Sequence, residues 1–144
     1  DKYPAVNTRR DTALVGRLSE YPSAVEVGVG RRPAVAAGLS DAGVAVTVTD
    51  VVAADEVDAP PSVSFVRDDI VAASERDHPG EIYEAALVYG LNFPPELHRP
   101  ALNVARAVDA DFQFTTLGYD SPAVACETEA LPEGETLYVA RDGE

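Results

Sequence analysis

The stretch Val25-Glu26-Val27-Gly28-Val29-Gly30-Arg31-Arg32-Pro33, together with the apolar run that ends at Asp50, decides the reading of this chain. A short apolar strand, a glycine turn, a helix opening at a proline and a β-branched strand closed by an acid follow one another. Glycines at 28 and 30 let the backbone turn sharply and come close to a ligand. Pro33 suits the first turn of a helix, whose unbonded N–H groups face that turn. A carboxylate at the tip of the next strand can accept hydrogen bonds from both hydroxyls of a ribose. The unit implies a bound nucleotide and leaves the reaction open.

The flanking sequence extends the same alternation. Thr8 to Glu20 has Leu14, Val15, Leu18 and Tyr21 at helical spacing, with Thr8 and Asp11 as a weak capping box. Ala24 to Gly28 is a first strand, Pro33 to Ala42 a helix stopped by Gly43, and Val44 to Asp50 a second strand. Asp55 to Pro61 is an acidic loop, Val63 to Val66 a third strand, Ser74 to Gly80 a polar turn and Glu84 to Leu91 a fourth strand. Asn92-Phe93-Pro94-Pro95 leads into a helix reaching about Val108, restarted or kinked at Pro100. Asp111 to Leu117 is a fifth strand with Phe112 and Phe114 on one face. Two tail strands, Ala123 to Thr128 and Thr136 to Ala140, flank a Pro132-Glu133-Gly134 turn. The pattern predicts α/β architecture: one Rossmann-like three-layer domain over residues 1–144, with a mostly parallel sheet of order 3-2-1-4-5 and antiparallel edge strands from the tail.

The 144 residues suit one domain and are short for two. The formal charge is −14, from 25 acids against 11 basic residues, and Lys2 is the only lysine. Such a charge repels itself in dilute buffer, whereas at about 1 M salt the Debye length falls to about 3 Å and the repulsion is screened. An acid-rich, lysine-poor, Ala/Val-rich chain reads as a protein of a salt-filled cytoplasm. The competing reading is an ordinary acidic protein with a basic partner. Basic residues occur only in small groups, Arg9-Arg10 and Arg31-Arg32, which argues against a broad nucleic-acid-binding patch. No apolar run has the length of about 20 residues that a membrane span needs, and no basic-plus-apolar leader is present, so a soluble cytoplasmic protein is expected. The chain contains no methionine, so Asp1 is not read as a retained start. Cys126 is the single cysteine and reads as a small buried residue, not a reactive thiol.

Three places can carry chemistry. At the glycine turn, a dinucleotide fingerprint would have a third glycine at 33, where this chain has proline. The S-adenosylmethionine pattern, acid-x-Gly-x-Gly-x-Gly, fits Glu26, Gly28 and Gly30 and meets Arg32 at its last position. The acid at 26 favours the second pattern; a tight turn with no ligand is the alternative. Asp68-Asp69 follows the third strand, where a carboxylate borders an adenine edge or else caps the next helix. Asn92, at the open sheet edge, and Tyr89 just before it are substrate-side candidates, against the alternative of a rigid Asn-Phe-Pro-Pro loop. His78 and His98 have no second His or Cys at ligand spacing, so no metal site is expected. A nucleophile elbow and a P-loop are both absent.

Val25-Glu26-Val27-Gly28-Val29-Gly30, Phe65-Val66-Arg67-Asp68-Asp69-Ile70 and Leu87-Val88-Tyr89-Gly90-Leu91-Asn92-Phe93-Pro94-Pro95-Glu96-Leu97 make the chain resemble an uncharacterised archaeal family of small Rossmann-like proteins, related in fold to S-adenosylmethionine-dependent methyltransferases. That family commonly has a basic residue near position 92 or 93, where this chain has Asn92-Phe93. The resemblance implies a fold and no settled activity, and it agrees with the halophilic reading of the composition. The expected function is S-adenosylmethionine binding by a minimal domain, with methyl transfer to an unknown acceptor. Glu26, Gly28 and Gly30 would border the methionine part, Asp50 the ribose, and Asp68 or Asp69 the adenine. Two alternatives stay open: an NAD-type dinucleotide domain, and a non-catalytic adapter that kept the fold. Little chain lies beyond the core sheet, so a partner chain, a homodimer interface or a nucleic acid would have to complete a substrate pocket.

Overall fold

Residues 8–28, 32–52, 61–118 and 120–141 are described by the computed structural model. Helix α1 (Arg9–Leu18) starts at Thr8, whose hydroxyl accepts the Asp11 N–H at 2.9 Å, the first half of the expected capping box. Strand β1 (Ser23–Val27), helix α2 (Pro33–Asp41) and strand β2 (Ala45–Asp50) follow; α2 has proline in its first turn and Gly43 at φ 97° beyond its end. Then come β3 (Ser64–Arg67), the one-turn helix α3 (Ile70–Ser74), β4 (Leu87–Gly90), α4 (His98–Ala107), β5 (Asp111–Phe114), β6 (Cys126–Ala130) and β7 (Thr136–Ala140).

The sheet order is β3-β2-β1-β4-β5-β7-β6, with the first five strands parallel. The antiparallel tail is present: β7 pairs against β5, and β6 against β7. Two reversals leave the edge strand β6 pointing the same way as β1 to β5, so β7 alone runs against the sheet. Alternation along β1 and β5 sends side chains to both faces. Leu14, Leu18, Val35, Leu39, Val48 and Leu87 form a core under α1 and α2. Val25, Ile70, Val88, Leu102, Phe112 and Phe114 form another under α3 and α4, with the two phenylalanines on one face as their spacing predicts. No helix among the described residues is long and apolar enough to cross a membrane.

Several boundaries differ from the sequence reading, and the larger shifts have local reasons. The fourth strand begins at Leu87, not Glu84, because Glu81–Tyr83 closes a single 3₁₀ turn. The preceding Ala86 N–H caps on the Ser23 hydroxyl at 3.0 Å. The fifth strand ends at Phe114, because Thr115 turns to hold the loop after β4. The first tail strand begins at Cys126, since the Ala123 N–H is taken by the His98 ring. Pro100 sits in the first turn of α4, where its missing N–H costs nothing, and a 3₁₀ turn at Pro95–Leu97 precedes it. Most of the acidic loop read at Asp55 to Pro61 lies outside the described residues.

Candidate functional site

The carboxyl ends of β1, β2 and β4 meet around a hollow of about 270 Å³, walled by Gly28, Asp50, Leu91, Asn92, Phe93, Pro94, Leu97, Leu117 and Asp120. Gly28 adopts φ 78°, the left-handed region that glycine enters without strain, and its N–H still bonds the Thr49 carbonyl at 2.9 Å. The turn therefore leaves the sheet one residue past β1. Gly30 and Arg31 lie outside the described residues. Asp50 closes β2 half-buried at the rim, its carboxylate accepting the Val51 N–H at 2.7 Å.

A larger hollow of about 500 Å³ lies beside it, walled by the starts of α1 and α2 and the loops after β4 and β5. Asn92 and Leu117 line both. Asn92 takes φ 49°, uncommon for a residue other than glycine but tolerated by asparagine. Thr115 enforces this shape. Its hydroxyl accepts the Asn92 N–H at 2.8 Å, its carbonyl accepts the Phe93 N–H at 2.9 Å, and its own N–H bonds the Gly90 carbonyl. Phe93 folds under the loop so closely that a Cβ at Gly90 would run into its ring. His98 completes the clamp. Its Nδ1 accepts the Ala123 N–H at 3.0 Å, which places the ring proton on Nε2, and Nε2–H donates to the Phe93 carbonyl at 3.0 Å. Burial holds this imidazole below its ordinary pKa, as a neutral strut requires. The loop is thus rigid, and it also presents Asn92 to both hollows.

Arg32, at the position where the pattern wants glycine, is held by two acids of the fold and lines the larger hollow. Its Nε and Nη2 bond Asp11 at 2.9 and 2.7 Å, and Nη2 bonds Glu135 at 2.8 Å. Asp11 and Glu135 are each only 4% exposed, so one guanidinium joins α1, the start of α2 and the tail at the wall of the larger hollow. Sequence reasoning missed this knot, because its partners stand 21 and 103 residues away.

Asp68 and Asp69 serve the fold. Asp68 accepts Arg76 Nη2 at 2.7 Å, Arg76 Nη1 at 3.2 Å and the Tyr83 hydroxyl at 2.7 Å. Burial alone would raise its pKa, but these donors outweigh burial and hold it below the usual value. Asp69 caps α3 through the Val71 N–H at 2.9 Å. Neither lines the two hollows.

Glu26 and Tyr89 are neighbours across β1 and β4, both fully buried. The Tyr89 hydroxyl donates to Glu26 Oε1 at 2.8 Å, while Oε2 has no hydrogen-bond partner. Burial drives the Glu26 carboxyl up to about 8; the Tyr89 bond and the charge of Arg32 oppose this and Asp50 adds to it. Tyr89 stays a neutral phenol, its pKa raised by burial and by Glu26. Next along the row, Gln113 on β5 donates to the Tyr21 hydroxyl at 2.7 Å and leaves its own Oε1 unpaired. Neither Glu26 nor Tyr89 lines the two hollows. Among the described residues no three His, Cys, Asp or Glu side chains gather as a metal site would need.

The chain is 43% identical over 126 residues to a UPF0146 protein of Halobacterium salinarum, covering 87% of this chain and 92% of that one. It is 41% identical over 87 residues to a UPF0146 protein of Archaeoglobus fulgidus, covering 60% of this chain and 62% of that one. In fold it is similar to a TehB-like SAM-dependent methyltransferase from Corynebacterium glutamicum, with TM-score 0.57, 17% identity, and 92% and 86% of the two chains covered. A chain assigned to the Zn-dependent alcohol dehydrogenases of Rhodobacter sphaeroides is also similar, with TM-score 0.53, 18% identity, and 80% and 49% covered. The model of the Uncharacterised protein family UPF0146 matches residues 12–143, and the chain belongs to that family.

Proposed function

We propose that this chain binds S-adenosylmethionine in the smaller hollow and presents it to a methyl acceptor in the larger one. The observation that carries the reading is the junction at Asn92 and Leu117: one hollow opens on Gly28 and Asp50, the other on polar side chains of α1, α2 and the β5 loop, and the two share a wall. Asp50 would receive the ribose hydroxyls and the left-handed Gly28 turn would pass close to the ligand. The fully buried, unpartnered oxygen of Glu26 lies two residues before that turn, behind the methionine end. Bound S-adenosylmethionine would supply an electrophilic methyl group. The protein's part is then to align the acceptor, which needs positioning more than a strong base. Asn92, fixed by Thr115 and His98, is the side chain placed to orient the acceptor.

The likeness to the TehB-like chain, which extends over most of both molecules, supports this reading over the dehydrogenase one. So does Arg32. A dinucleotide would bring its pyrophosphate to the turn, and the guanidinium best placed in sequence to meet it is held by Asp11 and Glu135.

Thermal denaturation with S-adenosylmethionine, its demethylated product and NAD separates the readings. A ligand at about 100 times its Kd stabilises the native state by about 2.7 kcal/mol. Each kcal/mol shifts the midpoint of a domain this size by about 2–4 °C or slightly more. The first two ligands should give the larger shift; a larger one with NAD favours a dinucleotide domain, and none with any ligand favours an adapter. The net charge of −14 sets the conditions, since we also read it as adaptation to salt. The midpoint should rise steadily between about 0.1 M and 1 M KCl as the Debye length shrinks from about 10 to about 3 Å. A flat midpoint rejects the salt reading.

A further inference from the structure

We infer that Glu26 holds a proton in the unliganded protein and releases it when a ligand brings a positive charge to the Gly28 turn, so that the site selects a cationic ligand group by proton exchange. The inference rests on the binding site proposed above. Glu26 is fully buried in the sheet, and one of its two carboxylate oxygens meets no donor. An ionised carboxylate offers about four acceptor positions, and leaving one oxygen bare in an apolar interior is strongly unfavourable; a protonated one needs far less. The apolar core beside it, Val48, Leu87 and Leu91 among others, offers no compensating cation.

Among the described residues the charged and titratable groups around Glu26 are few. Tyr89 on β4 gives the single hydrogen bond, and Asp50 at the end of β2 adds a repulsive charge. Arg32 at the start of α2 attracts, but its Nε and Nη2 are bonded to Asp11 and Glu135. Gln113 on β5, next along the row, is uncharged. Burial therefore decides, and the carboxyl stays neutral near pH 7. Asp50 acts on Glu26 electrostatically from the rim of the smaller hollow, so a cation in that hollow stands within the same reach with the opposite sign. An α-ammonium beside the Gly28 turn would favour the carboxylate. The O–H bond of Glu26 then breaks, its electron pair stays on the carboxylate, and the proton passes to bulk buffer. A phosphate at the same turn would do the reverse and hold the proton in place, which makes Glu26 a discriminator between the two ligand chemistries.

Calorimetric titration in about 2 M KCl at pH 7, repeated in buffers of different ionisation heat, reads the exchange directly. S-adenosylmethionine and its demethylated product, which both carry the α-ammonium, should release close to one proton per molecule bound. Adenosine, which lacks it, should bind without release. In Glu26→Gln the release should vanish, and in Tyr89→Phe, which keeps the carboxyl and removes its one donor, it should persist. Binding of S-adenosylmethionine with no release, or equal release with adenosine, overturns the inference and leaves the proposed site standing. Infrared difference spectra of the unliganded protein cover the case in which nothing binds. A protonated-carboxyl band at pH 7 that Glu26→Gln lacks supports the stored proton, and its absence overturns it.

Discussion

Two acids at adjacent strand tips have opposite fates. Asp50 ends β2 and Asp68 follows β3, close enough that the Asp68 N–H bonds the Asp50 carbonyl at 2.9 Å. Yet the Asp68 carboxylate is held by three side-chain hydrogen bonds, whereas the Asp50 carboxylate takes one backbone N–H and borders a hollow. Both look alike in sequence: an acid that closes a short strand-like run. The difference is whether a basic or phenolic partner folds back onto it, and here Arg76 and Tyr83 reach only the second. In a chain with 25 acids, an acid at a strand tip is weak evidence for a ligand site, and an acid left unclaimed by the fold is much stronger evidence.

Arg32 should show the largest cost of removing a partner. Its loss strands Asp11 and Glu135, both nearly buried, and breaking such a cluster typically costs about 3–5 kcal/mol. Arg10 approaches the same Glu135 at 3.6 Å but is 57% exposed, so Arg10→Ala should cost less than about 1 kcal/mol. Urea melts of both variants in molar KCl measure the contrast. Equal losses would mean that the knot does not hold α1 and the tail together.

Glu26 should reveal itself through pH. Its folded carboxyl titrates near 8, against about 4.5 unfolded. Between these values the native state binds the extra proton, so this group's contribution is complete below about 4.5 and is lost as pH rises through about 8. Wild-type stability should decline across that window, and Glu26→Gln should flatten the decline. A wild-type curve that is flat there would mean that Glu26 is ionised in the fold.

The sheet order of the first five strands was legible because parallel strands buried on both faces read as short apolar runs punctuated by glycine and proline. Gly28, Gly43 and Pro33 each mark a boundary that local backbone chemistry dictates. What stayed illegible depends on distant pairs. Nothing local to Arg32 announces Glu135, and nothing local to Asn92 announces Thr115, the residue that sets its backbone. His98 showed in sequence only that no second His or Cys stands at ligand spacing, whereas its ring joins two loops from inside the core. Asp50 stood out in sequence from its place at the end of β2, but that no other described side chain takes its carboxylate is visible only in the structure.

Asp68→Ala should be destabilising by a smaller margin than Arg32→Ala. It leaves the buried Tyr83 hydroxyl without its acceptor, a loss of about 1–3 kcal/mol. Since its donors lower the Asp68 pKa, the carboxylate contributes stability above the ordinary aspartate pKa of about 3.9, and that stability is lost as pH falls through the lower folded value. The variant should therefore lose part of the wild type's sensitivity to acid below about pH 4, measurable by circular dichroism. Tyr83→Phe should remove little of that sensitivity, because Arg76 still holds the carboxylate.

Asp50→Ala is the counterpart with the smallest effect on the fold. Among the described residues the carboxylate bonds only the next residue's N–H, and it stands at the rim of the smaller hollow, so stability should change by less than about 0.5 kcal/mol. Its effect should appear in binding instead: removing a charged acceptor of ribose hydroxyls should weaken S-adenosylmethionine by about 1.5–3 kcal/mol, roughly 10- to 150-fold. Asp68→Ala, whose side chain lies off both hollows, should leave that affinity nearly unchanged once enough protein is folded. Melting curves and calorimetry on the two variants thus give a crossed result, one acid moving stability and the other affinity. Equal affinity in Asp50→Ala and wild type would remove Asp50 from the site. A loss of affinity in Asp68→Ala alone would move the ligand to the tip of β3.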